Sequence, residues 1–310
     1  MRWPEAKRRQ VLCTAAVMMA AAGSSRGQPQ SAHRPTFRAN SALVLVPITV
    51  IDRRGATVNG LSQDAFTVAE DGVRQQIRSF SEEDAPVSMG IVLDLSASMK
   101  GVLSAARESL RALIAGLNPA DEAFLNTVST QPRAYAGFTR SLDGVLGQIV
   151  CERPAGDTAL IDTIYQSLKQ LREGVHARKA LVVISDGVDN HSRHSREELL
   201  DLAVESDAQI YAIAMVSAPP FAKPIELLEQ NRGVRLLDDL AAKTGGIGFT
   251  LRSRADIANA AASIGRALRN QYIIGYVPSG SDRIGRRHSI RVKVAGRGLR
   301  TYTRTEYCLD

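Results

Sequence analysis

Cysteine is scarce in this chain, and long apolar segments are absent beyond its first 27 residues. Of three cysteines in 310 residues, only Cys151 and Cys308 lie past residue 27. Two cysteines so far apart permit one disulfide in an oxidising compartment, but they exclude a disulfide framework. No segment after residue 27 reaches the length of a membrane span. The composition, 44% hydrophobic and 23% charged, is that of an ordinary soluble globular protein.

The first 27 residues differ from the rest of the chain. A basic start is followed by an uncharged, alanine-rich stretch, Val11–Gly23, and then by Ser25-Arg26-Gly27. This layout predicts a secretory signal peptide over residues 1–27, because the apolar part is too short for a permanent membrane helix. We therefore expect export to the periplasm or the extracellular space. Arg8-Arg9-Gln10-Val11-Leu12 also resembles a twin-arginine signal, so the sequence leaves the export route open.

The basic character of the chain says little about its partners. The formal net charge is +7, but five basic residues and one acidic residue lie within residues 1–27. Removing that net +4 leaves 7 − 4 = +3 on the mature chain. A charge this small predicts no nucleic-acid partner.

Both ends of the mature chain are rich in predicted strands. Residues 28–39 are polar and contain proline, which indicates a linker. In residues 40–84, a Glu70-Asp71-Gly72 turn predicts a hairpin, and Pro47 favours an edge or a bulge for the first strand. Because half-exposed hairpins cannot bury their apolar faces alone, we expect residues 40–84 and 271–308 to form one small β-sandwich. The predicted strands are Leu43–Ile51, Phe66–Ala69, Gln75–Phe80, Tyr272–Val277, Ser289–Ala295 and Leu299–Tyr307.

Between these blocks, residues 87–269 alternate apolar strands with amphipathic helices. Strands that are apolar on both faces and separated by helices predict a doubly wound, mainly parallel α/β sheet covered on both sides, inserted in the sandwich. The predicted strands are Met89–Leu95, Ala123–Val128, Ala134–Phe138, Ala180–Ile184, Ile210–Val216 and Ile247–Leu251. The predicted helices are 102–117, Leu142–Val150, Leu160–Leu171, Arg196–Val204, Leu236–Lys243 and Ala255–Leu268.

Oxygen-bearing side chains cluster where three segments of this domain end or begin. Asp94-Leu95-Ser96-Ala97-Ser98 follows the first strand, Ser185-Asp186-Gly187 follows another, and Gly156-Asp157-Thr158 precedes a helix. Ligands of open α/β sheets bind beyond the carboxyl ends of the strands, where these loops can meet. Hydroxyls and carboxylates without histidine or cysteine suit Mg²⁺, with Mn²⁺ or Ca²⁺ as alternatives, and disfavour zinc or copper.

These three motifs, in this order, resemble the von Willebrand factor type A domain with its metal-ion-dependent adhesion site, over about residues 87–269. The resemblance implies that Ser96, Ser98 and Thr158 bind the ion directly, and that Asp94 and Asp186 bind it directly or through water. Asp157, Ser185 and Asp189 are expected in the surrounding shell.

The flanking β blocks, with Thr49–Asp52, Phe66–Gly72 and Tyr272–Tyr276, look like a bacterial exported subfamily known largely from acidobacteria. The tail Arg304-Thr305-Glu306-Tyr307 departs from the Arg-x-Gly-Tyr ending expected there.

The resemblance also implies a mode of action. An ion held mainly by neutral hydroxyls keeps positive charge and an open position, which an Asp or Glu of a protein partner fills. One such contact is too small for an interface, so neighbouring loops must add area. The loop Ser217–Arg235 follows a strand end, and its Pro219, Pro220 and Phe221 are the predicted partner-binding residues.

Each motif also has a purely structural interpretation. Asp and Ser after a strand, and Asp-Thr before a helix, commonly cap helices, and Asp-Gly is a turn signal. Asp189 and Asn190 either bond the third loop or lie free in solvent. His191 and His194 fit a solvated loop.

Two functions rival adhesion: a structural cell-envelope protein whose ion only stabilises loops, and a magnesium-dependent hydrolase or phosphotransferase with Asp94 as nucleophile. We expect no enzyme, because Ser96 replaces the second carboxylate of a D-x-D motif and Lys100 lies on the following helix. No Ser/His/Asp set has motif support either.

Overall fold

The computed structural model describes residues 43–134, 137–141, 144, 147, 156–216, 223–253, 256–279 and 285–308. By its contacts the chain divides into two units, and all of these residues belong to the unit Ser41–Asp310. Several predictions fall outside the described residues: the signal peptide at 1–27, the linker at 28–39, most of the helix Leu142–Val150, Cys151, and Pro219, Pro220 and Phe221.

A six-stranded, mostly parallel sheet forms the centre of the described chain. Its strand order is β10-β9-β8-β5-β6-β7, with only β7 antiparallel to its neighbour. This confirms the predicted mixed α/β fold with a mainly parallel sheet. The strands are β5 (Val87–Asp94), β6 (Glu122–Val128), β7 (Arg133–Ala134), β8 (Arg178–Ser185), β9 (Gln209–Met215) and β10 (Gly248–Leu251).

Helices cover both faces of this sheet. All eight residues of β5 are buried, because Ile91 packs into the cluster on one face and Val92 into the cluster on the other. The first cluster contains residues of α1 and α5, and the second contains residues of α2, α3 and α4. The helices are α1 (Leu103–Ala115), α2 (Leu160–Leu171), α3 (Arg196–Glu205), α4 (Pro224–Thr244) and α5 (Ile257–Arg269). Within the described chain, every helix is too short or too polar to cross a lipid bilayer.

Helix α4 corrects one sequence prediction. The sequence pattern predicts a loop that extends to Arg235, but the segment from Pro224 onwards forms the first half of a 21-residue helix. Pro224 at the first helical position fixes a helical φ, and Glu226 accepts a hydrogen bond from the Lys223 amide (3.1 Å). The sequence signal for a helix is weak here for two reasons. Some apolar side chains of this half are exposed, which blurs the helical pattern, and Gly233 is a residue type that disfavours helices.

Two antiparallel sheets flank the central one, with orders β13-β1-β11-β4 and β14-β12-β2-β3. Each combines strands from before and after the α/β segment, and residues of both, such as Ile48, Phe66, Tyr272 and Ile290, share one apolar cluster. Their description as a β-sandwich, and the domain boundaries, stay predictions. The strands are β1 (Val44–Ile51), β2 (Phe66–Glu70), β3 (Val73–Gln75), β4 (Ile77–Glu83), β11 (Gln271–Tyr276), β12 (Arg287–Val294), β13 (Arg300–Tyr302) and β14 (Glu306–Cys308).

Each of two segments predicted as single strands contains parts of two strands, and these two strands belong to different sheets. The sequence predicts that Gln75–Phe80 completes a hairpin with Phe66–Ala69, but β3 alone pairs with β2, while β4 pairs with β11. Likewise, in Leu299–Tyr307, β13 pairs with β1 and only β14 pairs with β12. Alternation along a strand shows which face is buried, but not which strand lies beside it.

Pro47 favours an edge or a bulge on sequence grounds, but β1 is an interior strand. On one side Pro47 lies opposite Ile273 of β11. On the other side, β13 pairs only with Thr49–Ile51. Pro47 has no N–H to donate, and β13 does not reach this position, so no hydrogen bond to β13 is lost.

Candidate metal centre

The three oxygen-rich loops meet at the carboxyl edge of the central sheet. β5 ends at Asp94 and β8 at Ser185, and these strands are parallel neighbours with Leu93 opposite Ile184. The loop before α2 joins them, because Ala97 N donates to the Gly156 carbonyl (3.3 Å). The three motifs thus lie together at one edge of the sheet, as the parallel arrangement of the strands predicts.

Hydrogen bonds from the first and third loops hold Asp94 in place. Its side chain is fully buried, its Oδ1 accepts a hydrogen bond from Ser96 N (2.8 Å), and its Oδ2 accepts one from Ser185 Oγ (2.6 Å). Ser185 Oγ in turn accepts from Gly187 N (2.9 Å). Ser185 therefore positions Asp94 and ties the first loop to the third.

The serine hydroxyls and Asp186 lie beside this carboxylate. Ser96 Oγ and Ser98 Oγ are 2.9 Å apart, with Ser96 buried and Ser98 exposed. Asp186 is nearly buried, accepts a hydrogen bond from Val188 N (3.1 Å), and is bonded by the Ser98 hydroxyl. The site is therefore closed at Asp94 and reaches solvent at Ser98.

Burial dominates the electrostatics of both carboxyl groups. Burial, together with a smaller contribution from the charge of Asp186, raises the pKa of Asp94 from 3.8 to about 6 against the hydrogen bonds from Ser185 and Ser96. Burial also raises the pKa of Asp186, against the hydrogen bonds from Ser98 and Val188. Among the described residues, no basic side chain is a leading cause of either shift.

Thr158 is buried at the start of α2, and the loop after β8 fixes its backbone. Its amide donates to Asn190 Oδ1 (2.8 Å), and its carbonyl accepts from the amides of Asn190 (3.0 Å) and His191 (3.1 Å). Asn190, left open in the sequence, thus bonds the threonine loop.

The other two residues predicted for the surrounding shell contact neighbouring groups instead of the Asp94 carboxylate in the described hydrogen bonds. Asp189 Oδ1 accepts from Ile161 N (3.1 Å) and Ser192 Oγ (2.6 Å), which caps the first turn of α2. The Asp157 side chain is exposed, and its amide donates to Thr130 Oγ1 (3.2 Å). Their role around an ion stays a prediction.

Two supporting features carry no usable sequence signal. Gly233 of α4 packs so closely on Gly187 that a Cβ added to it would lie 2.0 Å from the Gly187 carbonyl oxygen. Asp162 accepts hydrogen bonds from the amides of Arg193 and His194, and its Oδ1 lies 2.7 Å from His194 Nδ1. A mid-helix glycine and a helical aspartate are too common to be singled out.

The donor types of this edge fit a hard divalent cation. Asp94, Ser96, Ser98, Thr158 and Asp186 offer carboxylate and hydroxyl oxygens, without nitrogen or sulfur, as Mg²⁺, Mn²⁺ and Ca²⁺ prefer. Two neighbouring carboxyl groups whose pKa values are raised by burial are also the environment that a positive charge would relieve.

Comparisons with known proteins bear on the domain type. Residues 89–188 match the family model of the von Willebrand factor type A domain. No curated protein sequence matches the chain.

Similar solved structures include three with low identity. The conserved hypothetical protein BatB from Bacteroides thetaiotaomicron is 15% identical, with 58% of this chain and 98% of that chain covered and a TM-score of 0.45. A von Willebrand factor type A protein from Catenulispora acidiphila is 12% identical, with 88% and 76% covered and a TM-score of 0.49. The vWF domain of the type V pili tip protein Mfa5 from Porphyromonas gingivalis is 12% identical, with 60% and 95% covered and a TM-score of 0.47.

Since these TM-scores are below 0.5, the assignment rests on the family match, whose residues 89–188 include all five predicted ion ligands. Together with the mostly parallel sheet, this match shows that the chain contains a von Willebrand factor type A domain.

Proposed function

We propose that this protein is an exported binding module that holds a divalent cation, Mg²⁺ in the first place, and engages an Asp or Glu of a protein partner through it. Ser96, Ser98 and Thr158 would hold the ion directly, and Asp94 and Asp186 would hold it directly or through water. The observation that carries the proposal is the pair of buried carboxylates, Asp94 and Asp186, beside the two hydroxyls 2.9 Å apart. The narrower match to the exported bacterial subfamily belongs to the same proposal.

The chemistry of the ligand set favours binding of a partner carboxylate. Hydroxyls are neutral, so an ion held largely by them retains charge that a further carboxylate can balance. The exposed Ser98 marks the side from which a partner reaches the site. Asp94, buried at the opposite side, orients the loops through Ser96 and Ser185.

The first turns of α4 offer apolar area for the same interface. Ile225, Leu227 and Leu228 are 40–54% exposed, and α4 follows β9, whose carboxyl end lies at the edge that carries the site. Their helix touches the third loop two turns later, at Gly233. Pro219, Pro220 and Phe221, which precede this helix, remain candidates for partner contact.

The structure gives a reason to prefer binding over phosphoryl transfer through Asp94. A nucleophilic carboxylate must reach a substrate atom, but both oxygens of Asp94 accept internal hydrogen bonds and the side chain is fully buried. Lys100 is exposed on the 3₁₀ turn that precedes α1. The burial of Asp94 thus supports partner binding over phosphoryl transfer.

A capture experiment tests the proposal. Immobilised protein is incubated with the exported fraction of its source in Mg²⁺ or in chelator, and wild type is compared with Asp94→Ala and Ser98→Ala. We expect a partner retained only in Mg²⁺, at least tenfold less by either variant, and released by excess free carboxylate. Substitution of an Asp or Glu of that partner should abolish its retention.

The exposed Ser104 of α1 offers a matched control, Ser104→Ala, which should retain the partner. Capture that is equal in chelator and in both site variants would contradict the adhesive role and favour a structural one. Chelator-sensitive hydrolysis of a phosphoester, lost in Asp94→Ala, would instead favour the enzyme.

A further inference from the structure

We propose that Glu70, Asp71 and His288 form a second metal site, for a transition-metal dication of the Zn²⁺ type, between β2 and β12. It shares no residue with the site at Asp94 and differs from it in ligand chemistry. Within the described residues, these three are the group of at least three His, Cys, Asp or Glu side chains whose ligand atoms all lie within 4.8 Å of one another.

The pairing of two strands brings these residues together. β2 runs antiparallel to β12 with Glu70 opposite Ile290, and the Asp71 amide donates to the Ser289 carbonyl (3.0 Å). The turn after β2 thereby lies beside His288, 217 residues further along the chain. His288 Nδ1 is 2.8 Å from Asp71 Oδ2 and 3.9 Å from Glu70 Oε1.

These separations are close to those of a coordination shell. Ligand atoms about 2.0–2.1 Å from a tetrahedral zinc lie roughly 3.3 Å from each other. The two observed distances, 2.8 and 3.9 Å, lie on either side of that value. Shifts of about half an ångström would therefore bring these atoms to that separation, and the half-exposed Asp71, in the turn after β2, is the ligand with most room to move.

Both carboxylates are held in place by other groups. Glu70 Oε2 accepts hydrogen bonds from the hydroxyls of Tyr276 (2.6 Å) and Tyr307 (2.8 Å). Asp71 Oδ1 accepts from the amide (2.9 Å) and the hydroxyl (3.1 Å) of Ser289. In each carboxylate, the other oxygen is the one near His288 Nδ1. Outer hydrogen bonds of this kind orient ligands and reduce the ordering cost of binding an ion.

Burial and charge at the cluster also favour an ion. Glu70 and His288 are buried, whereas the Asp71 side chain is half exposed, so one side remains open for entry and for water as a further ligand. Two carboxylates and a neutral imidazole balance a dication. His288 Nδ1 is the ring nitrogen near the carboxylate oxygens. An ion bound to it would leave the ring proton on Nε2, which is buried without a partner in the described part of the chain.

The two sites should prefer different ions, because only the second has a nitrogen ligand. Imidazole with carboxylates suits Zn²⁺ and its neighbours, while an all-oxygen set suits Mg²⁺. An ion here would join the β2–β3 turn to β12 and thereby stabilise the flanking sheets.

Calorimetric titration with Zn²⁺ tests the inference on the full chain, purified without a histidine tag and kept in excess Mg²⁺. We expect about one Zn²⁺ per chain and, at a hundredfold excess over Kd, a melting temperature about 5–10 °C higher. His288→Gln and Asp71→Asn should each weaken Zn²⁺ binding at least tenfold. The second variant keeps an exposed isosteric side chain, so it is expected to fold even if the first does not.

His194→Gln is the matched control, because His194 Nδ1 also lies 2.7 Å from a carboxylate oxygen, Asp162 Oδ1, but belongs to no three-ligand group of the described residues. It should bind Zn²⁺ as wild type does, as should Asp94→Ala. Absence of Zn²⁺ binding, or binding unchanged in both His288→Gln and Asp71→Asn, would overturn the inference. If the protein binds Zn²⁺ but shows no binding of Mg²⁺, only the proposed function at Asp94 would be refuted.

Discussion

Mg²⁺ is expected to raise the melting temperature of the protein above pH 6 and to lose this effect as the pH falls below 6. At a hundredfold excess over Kd, binding to the folded state alone adds about 2.7 kcal/mol to the free energy of unfolding. The pH dependence arises because the pKa of Asp94 is raised to about 6 by burial and by Asp186. Below that pH, the carboxyl group is protonated and no longer attracts a cation.

Without a divalent cation, the sign of the pH effect is reversed. The folded pKa of Asp94 lies above its ordinary value of 3.8, so the folded state holds this proton more tightly than the unfolded state. The stability contributed by Asp94 is complete below about pH 4 and is lost as the pH rises through 6. At 1.36 kcal/mol per pH unit, the loss amounts to about 3 kcal/mol.

The variant Asp94→Asn separates these two effects. Its amide keeps the shape of the side chain and can hydrogen-bond Ser185, but it bears no charge. In chelator at pH 8, we expect the variant protein to be as stable as wild type or up to about 3 kcal/mol more stable. In a hundredfold excess of Mg²⁺ over Kd, wild type should gain about 2.7 kcal/mol and the variant much less, so the stability difference should shift by that amount towards wild type.

Denaturant melts at pH 5 and 8, with and without Mg²⁺, measure both differences. The exposed Glu108 of α1 provides a charge-neutralising control, Glu108→Gln, which should behave as wild type. Equal stabilisation of wild type and Asp94→Asn by Mg²⁺ would remove Asp94 from the site.

Gly233→Ala is expected to destabilise the protein by about 1–3 kcal/mol and to weaken the response to Mg²⁺. In an exposed helix this change would stabilise by up to about 1 kcal/mol, because alanine favours the helix. Here the new Cβ would lie 2.0 Å from the Gly187 oxygen and 2.2 Å from its carbonyl carbon. Gly187 itself has φ 83°, a left-handed conformation that other residues rarely adopt, so its backbone cannot readily move away.

The strain should be transmitted to the ion site, because Gly187 directly follows Asp186 and donates its amide to Ser185 Oγ. Gly265→Ala in α5 is the matched control, since a Cβ there would meet no heavy atom within 4 Å. That variant should be neutral or slightly stabilising and should respond to Mg²⁺ as wild type does. A Gly233→Ala protein as stable as Gly265→Ala would contradict the proposed close contact.

The sequence predicted the central sheet because the physical signal there is local. A strand buried on both faces must be apolar throughout, as Met89–Leu93 and Ala180–Ile184 are. Parallel strands end at one edge, so polar residues that follow them must meet there. For this reason the sequence alone predicts that Asp94 and Asp186 lie together.

The sequence by itself thus determined the α/β class, the mainly parallel sheet and the edge at which Asp94, Ser96 and Asp186 gather. The tertiary structure alone decided which strand pairs with β4 and with β13, that α4 begins at Pro224, and that His288 lies beside Asp71. The physical reason is that periodicity reports the buried face of a segment, whereas partner strands, close glycine contacts and ligand clusters depend on residues far apart in the chain.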